Sequence, residues 1–341
     1  MHFFDGHNDL LYRMWQCDND PPHAGAMARG YASADGHLDL TRASAAGFTG
    51  GLFALFIPNS AAGEELSGGQ PPSYEAASNI CTDMLALVDE MVARFGDNIA
   101  KCLTVSDILA AHDARKIAMV LHIEGAEMIS ADCHEIEMLY QRGIRSLGPL
   151  WSRPNRFGEG VPLQFPGFPD QGSGLSDAGK RLVRTCNQYG IMLDLSHLNE
   201  KGFWDVAKLT DKPLVATHSN VHRLCPSPRN LTDRQLDAIA ETGGLVGLCF
   251  ATSYLRKDGE KNPDTSLALL VQHCDALIET LGEGGVALGS DFDGACIPDA
   301  IGDCTGMPAL ESALRQAGYD DALLHRLFSQ NWLDMLSRQI G

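Results

Sequence analysis

The chain has 341 residues, of which 44% are hydrophobic and 21% are charged, a composition typical of a soluble protein with a substantial core. Its net charge of −18 disfavours nucleic acid as a partner, because the phosphates would be repelled. No apolar run approaches the ~20 residues that a membrane-spanning helix needs.

Apolar runs rich in β-branched and aromatic residues alternate with longer segments of helical period. The predicted strands are residues 2–7, 50–57, 118–123, 144–150, 191–197, 214–218, 244–250 and 286–291. The predicted helices are residues 74–95, 133–142, 176–189, 203–209, 232–242 and 265–281, and residues 307–340 are expected to form helices on the outside. Eight strands alternating with helices favour an α/β fold with a parallel sheet closed into a (β/α)₈ TIM-type barrel. Residues 1–341 are therefore predicted to form one barrel domain with extra C-terminal helices.

A doubly wound sheet is the main alternative to the barrel. A nucleotide-binding sheet of that kind carries a glycine-rich turn after a strand, but neither G-x-G-x-x-G nor G-x-x-x-x-G-K-[ST] follows any predicted strand. The long loop at residues 151–175 is rich in Pro, Gly and Phe. Loops of that length are usually functional or disordered, and the aromatic content of this one favours a lid.

The first residues, MHFFDGHNDLL, lack the basic start and the long apolar stretch of a signal peptide. The ten cysteines are dispersed and include no C-x-x-C pair, which is typical of reduced, packed thiols. We therefore expect a cytoplasmic protein that does not bind a membrane.

Ionisable residues stand at the carboxyl ends of five predicted strands. They are His7 and Asp9 at the first strand, Glu124 after the third, His197 at the fifth, His218 at the sixth and Asp291 at the eighth. The carboxyl ends of barrel strands converge on the face that carries active sites, so these side chains are expected to meet. Ionisable groups gathered there would be costly without a shared partner such as a metal ion. Zn²⁺ accepts both imidazole nitrogen and carboxylate oxygen as ligands.

The spacing of these residues suggests how two ions would be held. His7 and Asp9 are two residues apart, so their side chains point the same way on an extended segment. Glu124 has two oxygens and can bridge two ions about 3.5–4 Å apart. His197 and His218, from adjacent strands, would complete the second ion.

Two neighbouring residues compete for these roles. His122 lies two residues before Glu124 on the same strand face and is either a ligand or, as we favour, a packed core histidine. Asp293 lies two residues after Asp291 and competes with it on the same side of the segment.

The same residues lie in a set of motifs with a family resemblance. The motifs are Asp5-Gly-His-Asn-Asp-Leu10, Ile123-Glu-Gly125, Asp194-Leu-Ser-His197, Thr217-His-Ser219 and Gly289-Ser-Asp-Phe-Asp-Gly294. In order and spacing they resemble the renal (membrane) dipeptidase family of zinc metallopeptidases, a branch of the amidohydrolase superfamily, over nearly the whole chain. The resemblance is to members without a secretory signal or lipid anchor. It implies two zinc ions per chain, one on His7 and Asp9 and one on His197 and His218, bridged by Glu124.

The resemblance also implies roles for residues around the metals. Asp291 would carry the proton while a hydroxide shared by the two zinc ions attacks the amide bond of a dipeptide, including L-Xaa-D-Xaa dipeptides. Arg229, in Ser227-Pro-Arg-Asn230, would bind the C-terminal carboxylate of the substrate, and Tyr254 would contact it. The resemblance further favours a homodimer.

The chain departs from the family pattern at Trp151, which stands where many members have a substrate-side histidine that holds the carbonyl oxygen. An indole donates only through Nε1–H and cannot become cationic. Either Trp151 or a neighbour such as Arg153 replaces that histidine, or the zinc ions alone polarise the carbonyl. Trp151 is equally well explained as a lid aromatic that packs on the substrate.

Two other functions are compatible with the same residues. One is an amidohydrolase-like enzyme that acts on a non-peptide amide, a lactone or an ester, because the metal chemistry is shared. The other is a metal-binding or ligand-binding protein that lost turnover when Trp151 appeared. The complete set of five predicted ligands and Asp291 weighs against the second.

Overall fold

The computed structural model describes residues 1–19, 36–59 and 71–341. Its strands are β1 (Phe3–Asn8), β2 (Phe48–Phe56), β3 (Ile99–Lys101), β4 (Ile117–Glu124), β5 (Ile144–Gly148), β6 (Pro154–Asn155), β7 (Gly158–Glu159), β8 (Met192–Leu193), β9 (Val215–Ser219), β10 (Leu245–Leu248) and β11 (Val286–Leu288). Its α-helices are Leu10–Asn19, Leu40–Ala46, Tyr74–Phe95, Val105–Asp113, Glu135–Arg142, Asp177–Tyr189, Glu200–Leu209, Asp233–Glu241, Thr252–Leu255, Leu267–Leu281, Met307–Gln316, Asp321–His325 and Asn331–Gln339. Strands and helices thus alternate along most of the chain.

Eight of the strands form a closed parallel barrel. Five of them pair in the order β1-β2-β4-β5-β8, and three more in the order β9-β10-β11. A parallel bridge between Asp194 and Val215 joins β8 to β9, and another between Asn8 and Phe292 joins β1 to the segment after β11. The predicted barrel is confirmed, and each of its eight strands overlaps a predicted one.

Three short strands were not predicted. Strand β3 pairs with the first residues of β4, and β6 and β7 form a small antiparallel hairpin inside the loop at residues 151–175. Each has only two or three residues. A segment so short has no measurable alternation of apolar and polar side chains, so periodicity cannot reveal it.

Helix ends follow the signals in the sequence. Thr232 and Gln235 form a capping box before Asp233–Glu241: Thr232 Oγ1 accepts from the Gln235 N–H at 3.4 Å, and Gln235 Oε1 accepts from the Thr232 N–H at 2.9 Å. Gly190 ends the helix Asp177–Tyr189 with a φ of 70°, a left-handed conformation that glycine adopts without a side-chain penalty.

The last helix, Asn331–Gln339, plugs one end of the barrel. Its Trp332 is fully buried and packs in a hydrophobic cluster that draws residues from seven strands, among them Phe4, Leu52 and Val215. The Trp332 Nε1–H also donates to Leu288 O at 2.7 Å. The prediction that the whole tail packs on the outside is therefore wrong for this helix, whose aromatic side chain enters the barrel interior.

Within the described ranges, no helix combines the length and the apolar character that crossing a lipid bilayer requires.

Candidate metal centre

The six ionisable residues singled out in the sequence meet at the carboxyl end of the barrel. A cavity of about 460 Å³ opens there, and its walls include Asp9, Glu124, His197, His218 and Asp291. His7 lies directly behind the wall, fully buried, with its Nε2 3.4 Å from Asp9 Oδ2 and 3.7 Å from Glu124 Oε1. The predicted convergence of these side chains is what the structure shows.

Three ligand atoms on one side of the cavity form a tight triangle. Glu124 Oε1 lies 2.9 Å from His197 Nε2 and 3.5 Å from His218 Nε2, and the two imidazole nitrogens are 3.1 Å apart. Ligands held at about 2.0–2.1 Å around one tetrahedral ion are roughly 3.3 Å from each other. The spacing of this triangle therefore fits a single Zn²⁺ at its centre.

A second group of ligand atoms lies beside the triangle. His7, Asp9 and Asp291 offer atoms that are all within 4.8 Å of one another, and His7 forms a similar group with Glu124 and His218. Both ring nitrogens of His7 are buried without a hydrogen-bond partner in the part of the chain that the structure describes. Buried polar groups are rarely left unpaired, so His7 is arranged as a ligand would be. The residues present thus fit two ions that share Glu124.

Burial and the carboxylates of the cluster shift the pKa values of its three histidines in different directions. Burial alone would lower the pKa of His7, but the carboxylates of Glu124 and Asp9 outweigh it and raise that pKa to about 10. Burial raises the pKa of Glu124 well above its usual range. The pKa values of His197 and His218 are lowered well below the ordinary value, mainly by burial and also by nearby cationic groups. These lowered pKa values favour neutral rings at His197 and His218, the form that binds metal, whereas the carboxylates around His7 favour a positive charge at that position.

Asp291 occupies a constrained turn after β11. Its φ is 61°, a left-handed conformation that is uncommon for residues other than glycine. Its N–H donates to His7 O at 3.1 Å, which fixes the turn against β1. Burial raises the pKa of its carboxyl, and the neighbouring Asp9 carboxylate raises it further.

The alternative residues near the cluster have other partners. Asp293 lies at the cavity edge, where its Oδ2 is 3.1 Å from Arg13 Nε and its Oδ1 accepts from the His37 N–H. His122 is fully buried and hydrogen-bonds through Nδ1 to Ser146 Oγ at 2.9 Å. Its Nε2 lies 3.6 Å from Asp194 Oδ2, and it does not line the cavity.

Gly294 is a site residue that sequence reasoning missed. A Cβ atom at this position would lie 2.2 Å from Asp9 Oδ2 and 2.5 Å from Asp291 Oδ1, closer than atoms can approach. Only glycine leaves both carboxylates in place. The available sequence signal was the glycine at the end of the motif Gly289-Ser-Asp-Phe-Asp-Gly294. The spacing of metal-ligand residues does not draw attention to a glycine.

Arg229 and Tyr254 line the cavity together. The guanidinium carbon of Arg229 lies 5.1 Å from the centre of the Tyr254 ring. Arg229 Nη2 donates to His218 O at 3.0 Å and its Nη1 donates to Ser196 O, while its Nε–H has no partner among the described residues. The side chain is thus held rigidly by the segments that carry His197 and His218, with a donor left over.

Trp151 forms another part of the cavity wall, and Leu163, from the same loop, lies near it. The Trp151 ring packs against the His197 ring at 6.0 Å and against Phe56 at 5.3 Å. Arg153 lies over the Trp151 ring at 5.2 Å, but its Nε donates to Glu127 Oε1 at 2.9 Å and it does not line the cavity. Arg153 therefore packs against Trp151 from outside the cavity lining.

Residues 1–339 match the family described as "Membrane dipeptidase (Peptidase family M19)". The chain belongs to this family. As an M19 member it is a metal-dependent hydrolase of the peptidase class, as the motif resemblance implied.

Two solved structures are similar over nearly the whole chain, and a further relative is similar over most of it. A crystal structure of the dipeptidase AC, a metallopeptidase of family M19, has 46% sequence identity and a TM-score of 0.94, covering 100% of this chain and 99% of that one. A metallopeptidase from Rhodobacter sphaeroides, liganded with a phosphinate mimic of the dipeptide L-Ala-D-Ala, has 44% identity and a TM-score of 0.94, covering 99% of both chains. An uncharacterized protein in the pqqA 5′ region of Klebsiella pneumoniae is 46% identical over 258 residues, which are 76% of this chain and 95% of that protein.

Proposed function

We propose that this M19 hydrolase is a dipeptidase that uses two zinc ions bridged by Glu124. His7 and Asp9 would hold one ion, and His197 and His218 the other. The observation that carries the proposal is the placement of four of these side chains beside Arg229 in one cavity, with His7 directly behind the cavity wall and close to Glu124. When bound, the two ions would polarise the scissile carbonyl and supply a water of lowered pKa as the nucleophile at neutral pH.

Asp291 is assigned the proton transfer. Its carboxylate faces the group formed by His7 and Asp9, and its raised pKa brings it closer to the range in which a carboxyl both takes and gives a proton near neutral pH. It accepts the proton of the attacking water and delivers it to the leaving nitrogen. The Asp291 main-chain bond to His7 O keeps the carboxylate oriented toward the reacting atoms.

We assign to Arg229 the binding of the C-terminal carboxylate of the substrate. Its Nε–H has no hydrogen-bond partner in the described part of the chain. Its two Nη atoms donate to main-chain oxygens, and these bonds hold the guanidinium in place. A preorganised guanidinium binds a carboxylate through a planar fork that lysine cannot reproduce. Tyr254, under the guanidinium, is assigned a contact with the same end of the substrate.

Trp151 and the size of the cavity limit the substrate. A volume of about 460 Å³ lies at the small end of the usual range for ligand pockets. Trp151 closes one side with an aromatic surface backed by Phe56 and Arg153. A dipeptide fits such a cavity better than a segment of a protein does. The relative that binds a mimic of L-Ala-D-Ala supports the inclusion of L-Xaa-D-Xaa dipeptides among the substrates.

The test is turnover of a matched substrate panel by the zinc-loaded protein. The panel contains L-Ala-L-Ala, L-Ala-D-Ala, their C-terminal amides, a tripeptide, a lactone and a simple ester. We expect the highest kcat/KM with a free dipeptide, loss of turnover after chelation, and recovery when zinc is restored.

The Arg229→Lys variant is the matched control for the carboxylate contact. It should raise KM for dipeptides and leave the KM of the C-terminal amides nearly unchanged, because only the former present a carboxylate. Turnover confined to the lactone or the ester would replace the proposal with the amidohydrolase alternative. Turnover that survives complete removal of metal would overturn it.

A further inference from the structure

A buried chain of hydrogen bonds runs behind His218. Thr217 Oγ1 donates to Asp194 Oδ2 at 2.7 Å and lies 2.8 Å from His218 Nδ1. The exposed fractions of Asp194, Thr217 and His218 are 3%, 0% and 1%. All three residues are buried, so protein groups set the direction of these bonds.

The direction of each proton in this chain follows from Asp194. Its Oδ1 accepts from the Thr217 N–H at 2.8 Å and from Ser196 Oγ at 2.6 Å. A carboxylate surrounded by main-chain and hydroxyl donors is an acceptor only. The single hydroxyl proton of Thr217 therefore goes to Asp194 Oδ2, and the oxygen of that hydroxyl has only lone pairs to offer to His218.

The consequence for His218 is a fixed tautomer. Nδ1 must carry the proton, because it faces an oxygen that can only accept, and Nε2 must be bare in the neutral ring. That bare nitrogen faces Glu124 Oε1 at 3.5 Å and His197 Nε2 at 3.1 Å. A bare Nε2 beside a carboxylate oxygen is the arrangement that a metal ion bound between the two atoms would stabilise.

We infer that Asp194 and Thr217 form a positioning relay that holds His218 in its metal-binding tautomer. The inference rests on the proposed zinc centre and goes beyond it, because neither residue is among the proposed ligands. The hydrogen-bond partner of a ligating histidine fixes both the tautomer and the ring orientation. In the Asp194–Thr217 relay, the direct partner of His218 is the Thr217 hydroxyl, and the Asp194 carboxylate is one hydrogen bond further away.

The barrel interior offers a matched control for this relay. Ser146 Oγ lies 2.9 Å from His122 Nδ1, so it also forms a buried hydroxyl–imidazole bond. His122 is not one of the proposed ligands. Because His122 lies against Asp194, Ser146→Ala also disturbs the surroundings of the relay, but it leaves the Thr217 hydroxyl and its contact with His218 in place.

The experiment measures zinc affinity by competition with a chromogenic chelator in the wild type and in Thr217→Val, Thr217→Ser and Ser146→Ala. We expect Thr217→Val to weaken binding of one of the two zinc ions, the one assigned to His197 and His218, by about 10–100-fold. Thr217→Ser, which keeps the hydroxyl, should restore the affinity, and Ser146→Ala should keep it. The thermal midpoint of each metal-free variant is recorded alongside, to show that the variants fold.

The outcomes separate the relay from the zinc centre itself. Wild-type affinity in Thr217→Val, or an equal loss in Ser146→Ala, overturns the relay while the proposed function stands. Failure of Thr217→Ser to restore affinity also overturns it, since the hydroxyl would then not be the cause. A wild-type protein that binds no zinc overturns the proposed function, and the relay with it. If Thr217→Val does not fold, Thr217→Ser and Asp194→Asn still test the relay. The relay requires that Thr217→Ser keeps the zinc affinity and that Asp194→Asn loses it.

Discussion

Asp291 shows how a single residue joins main-chain geometry to chemistry. The left-handed φ of 61° turns the chain so that the carboxylate faces His7 and Asp9. Asp293, two residues later, also has a positive φ, of 68°, yet its carboxylate pairs with Arg13. Two aspartates in one motif therefore have different environments, and sequence spacing alone could not separate them.

Replacing Asp291 with asparagine tests the assignment of the proton transfer. Asparagine keeps the shape but cannot take up a proton, so we expect kcat for a dipeptide to fall by ~10²–10⁴. Metal content should stay at two per chain, as checked by elemental analysis. Asp293→Asn is the matched control and should keep kcat within the same order of magnitude. Near-normal turnover in Asp291→Asn together with a large loss in Asp293→Asn would reverse the assignment.

Residues of the candidate site could be predicted where the residue type suits only a few chemical roles. Imidazole and carboxylate groups at strand ends are costly without a partner, so His7, Glu124 and His218 were indicated by position alone. Gly294 was not, because its role is the absence of a side chain next to two carboxylates. Thr217 was not indicated either, since a threonine in a strand is ordinary and the proposed relay is suggested only by the distance from Thr217 Oγ1 to His218 Nδ1.

At the scale of elements, the predicted strands are in the right places but several are shorter than predicted. Residues 191–197 were predicted as one strand, yet β8 contains only Met192–Leu193. The reason is Asp194, whose side chain accepts from the N–H groups of Ser196 and Thr217. These side-chain bonds replace part of the main-chain ladder and carry His197 away from the sheet toward the cavity.

The helix Leu267–Leu281 supports the segment that follows His218. His273, on that helix, accepts through Nδ1 from the Val221 N–H at 3.1 Å and donates through Nε2 to Leu255 O at 3.1 Å. A main-chain N–H facing Nδ1 requires a neutral ring. Burial lowers the pKa of His273 to about 4, although the bond to Leu255 O opposes the shift.

This packing predicts a pH dependence of stability. The unfolded chain protonates His273 near its ordinary pKa of 6.5, whereas the folded chain does so only near 4. The stabilisation is therefore fully present above pH 6.5 and is lost as the pH falls toward 4. We expect His273 to lower the free energy of unfolding by about 2 kcal/mol at pH 5 relative to pH 8.

Urea unfolding of the wild type and of His273→Gln at both pH values isolates this contribution. Other histidines titrate equally in the two proteins, so the difference in their pH dependence belongs to His273. The variant should lose less stability than the wild type between pH 8 and pH 5. An identical loss in both proteins would contradict the neutral, hydrogen-bonded ring.

At the scale of the whole molecule, barrel closure assembles the site from distant parts of the sequence. Ser290 Oγ donates to Asp5 Oδ2 at 2.7 Å and lies 3.2 Å from His7 O, which is 283 residues away along the chain. The last helix closes the opposite end, where a Cβ at Gly6 would lie 2.3 Å from the Trp332 ring. The first and last strands are thereby locked in register under the ligands.

The barrel itself was predictable because eight alternating elements leave few other solutions, and the family resemblance of the motifs agreed with it. The insertion of Trp332 into the end of the barrel could not be predicted. An amphipathic helix has the same sequence pattern whether it packs on the outside of a barrel or at its end. The cavity shape depends on packing, which no periodicity encodes. So does the lack of hydrogen-bond partners for the His7 nitrogens among the described residues.

In the proposed centre, two metal ions are held by His7, Asp9, Glu124, His197 and His218. The most direct measurement is anomalous X-ray diffraction at the zinc edge from crystals of the zinc-loaded protein. We expect two peaks per chain, roughly 3.5–4 Å apart, one beside His7 and Asp9 and the other beside His197 and His218, with a Glu124 oxygen reaching each. A single peak, peaks remote from these five side chains, or no peak in zinc-saturated crystals would contradict the claim.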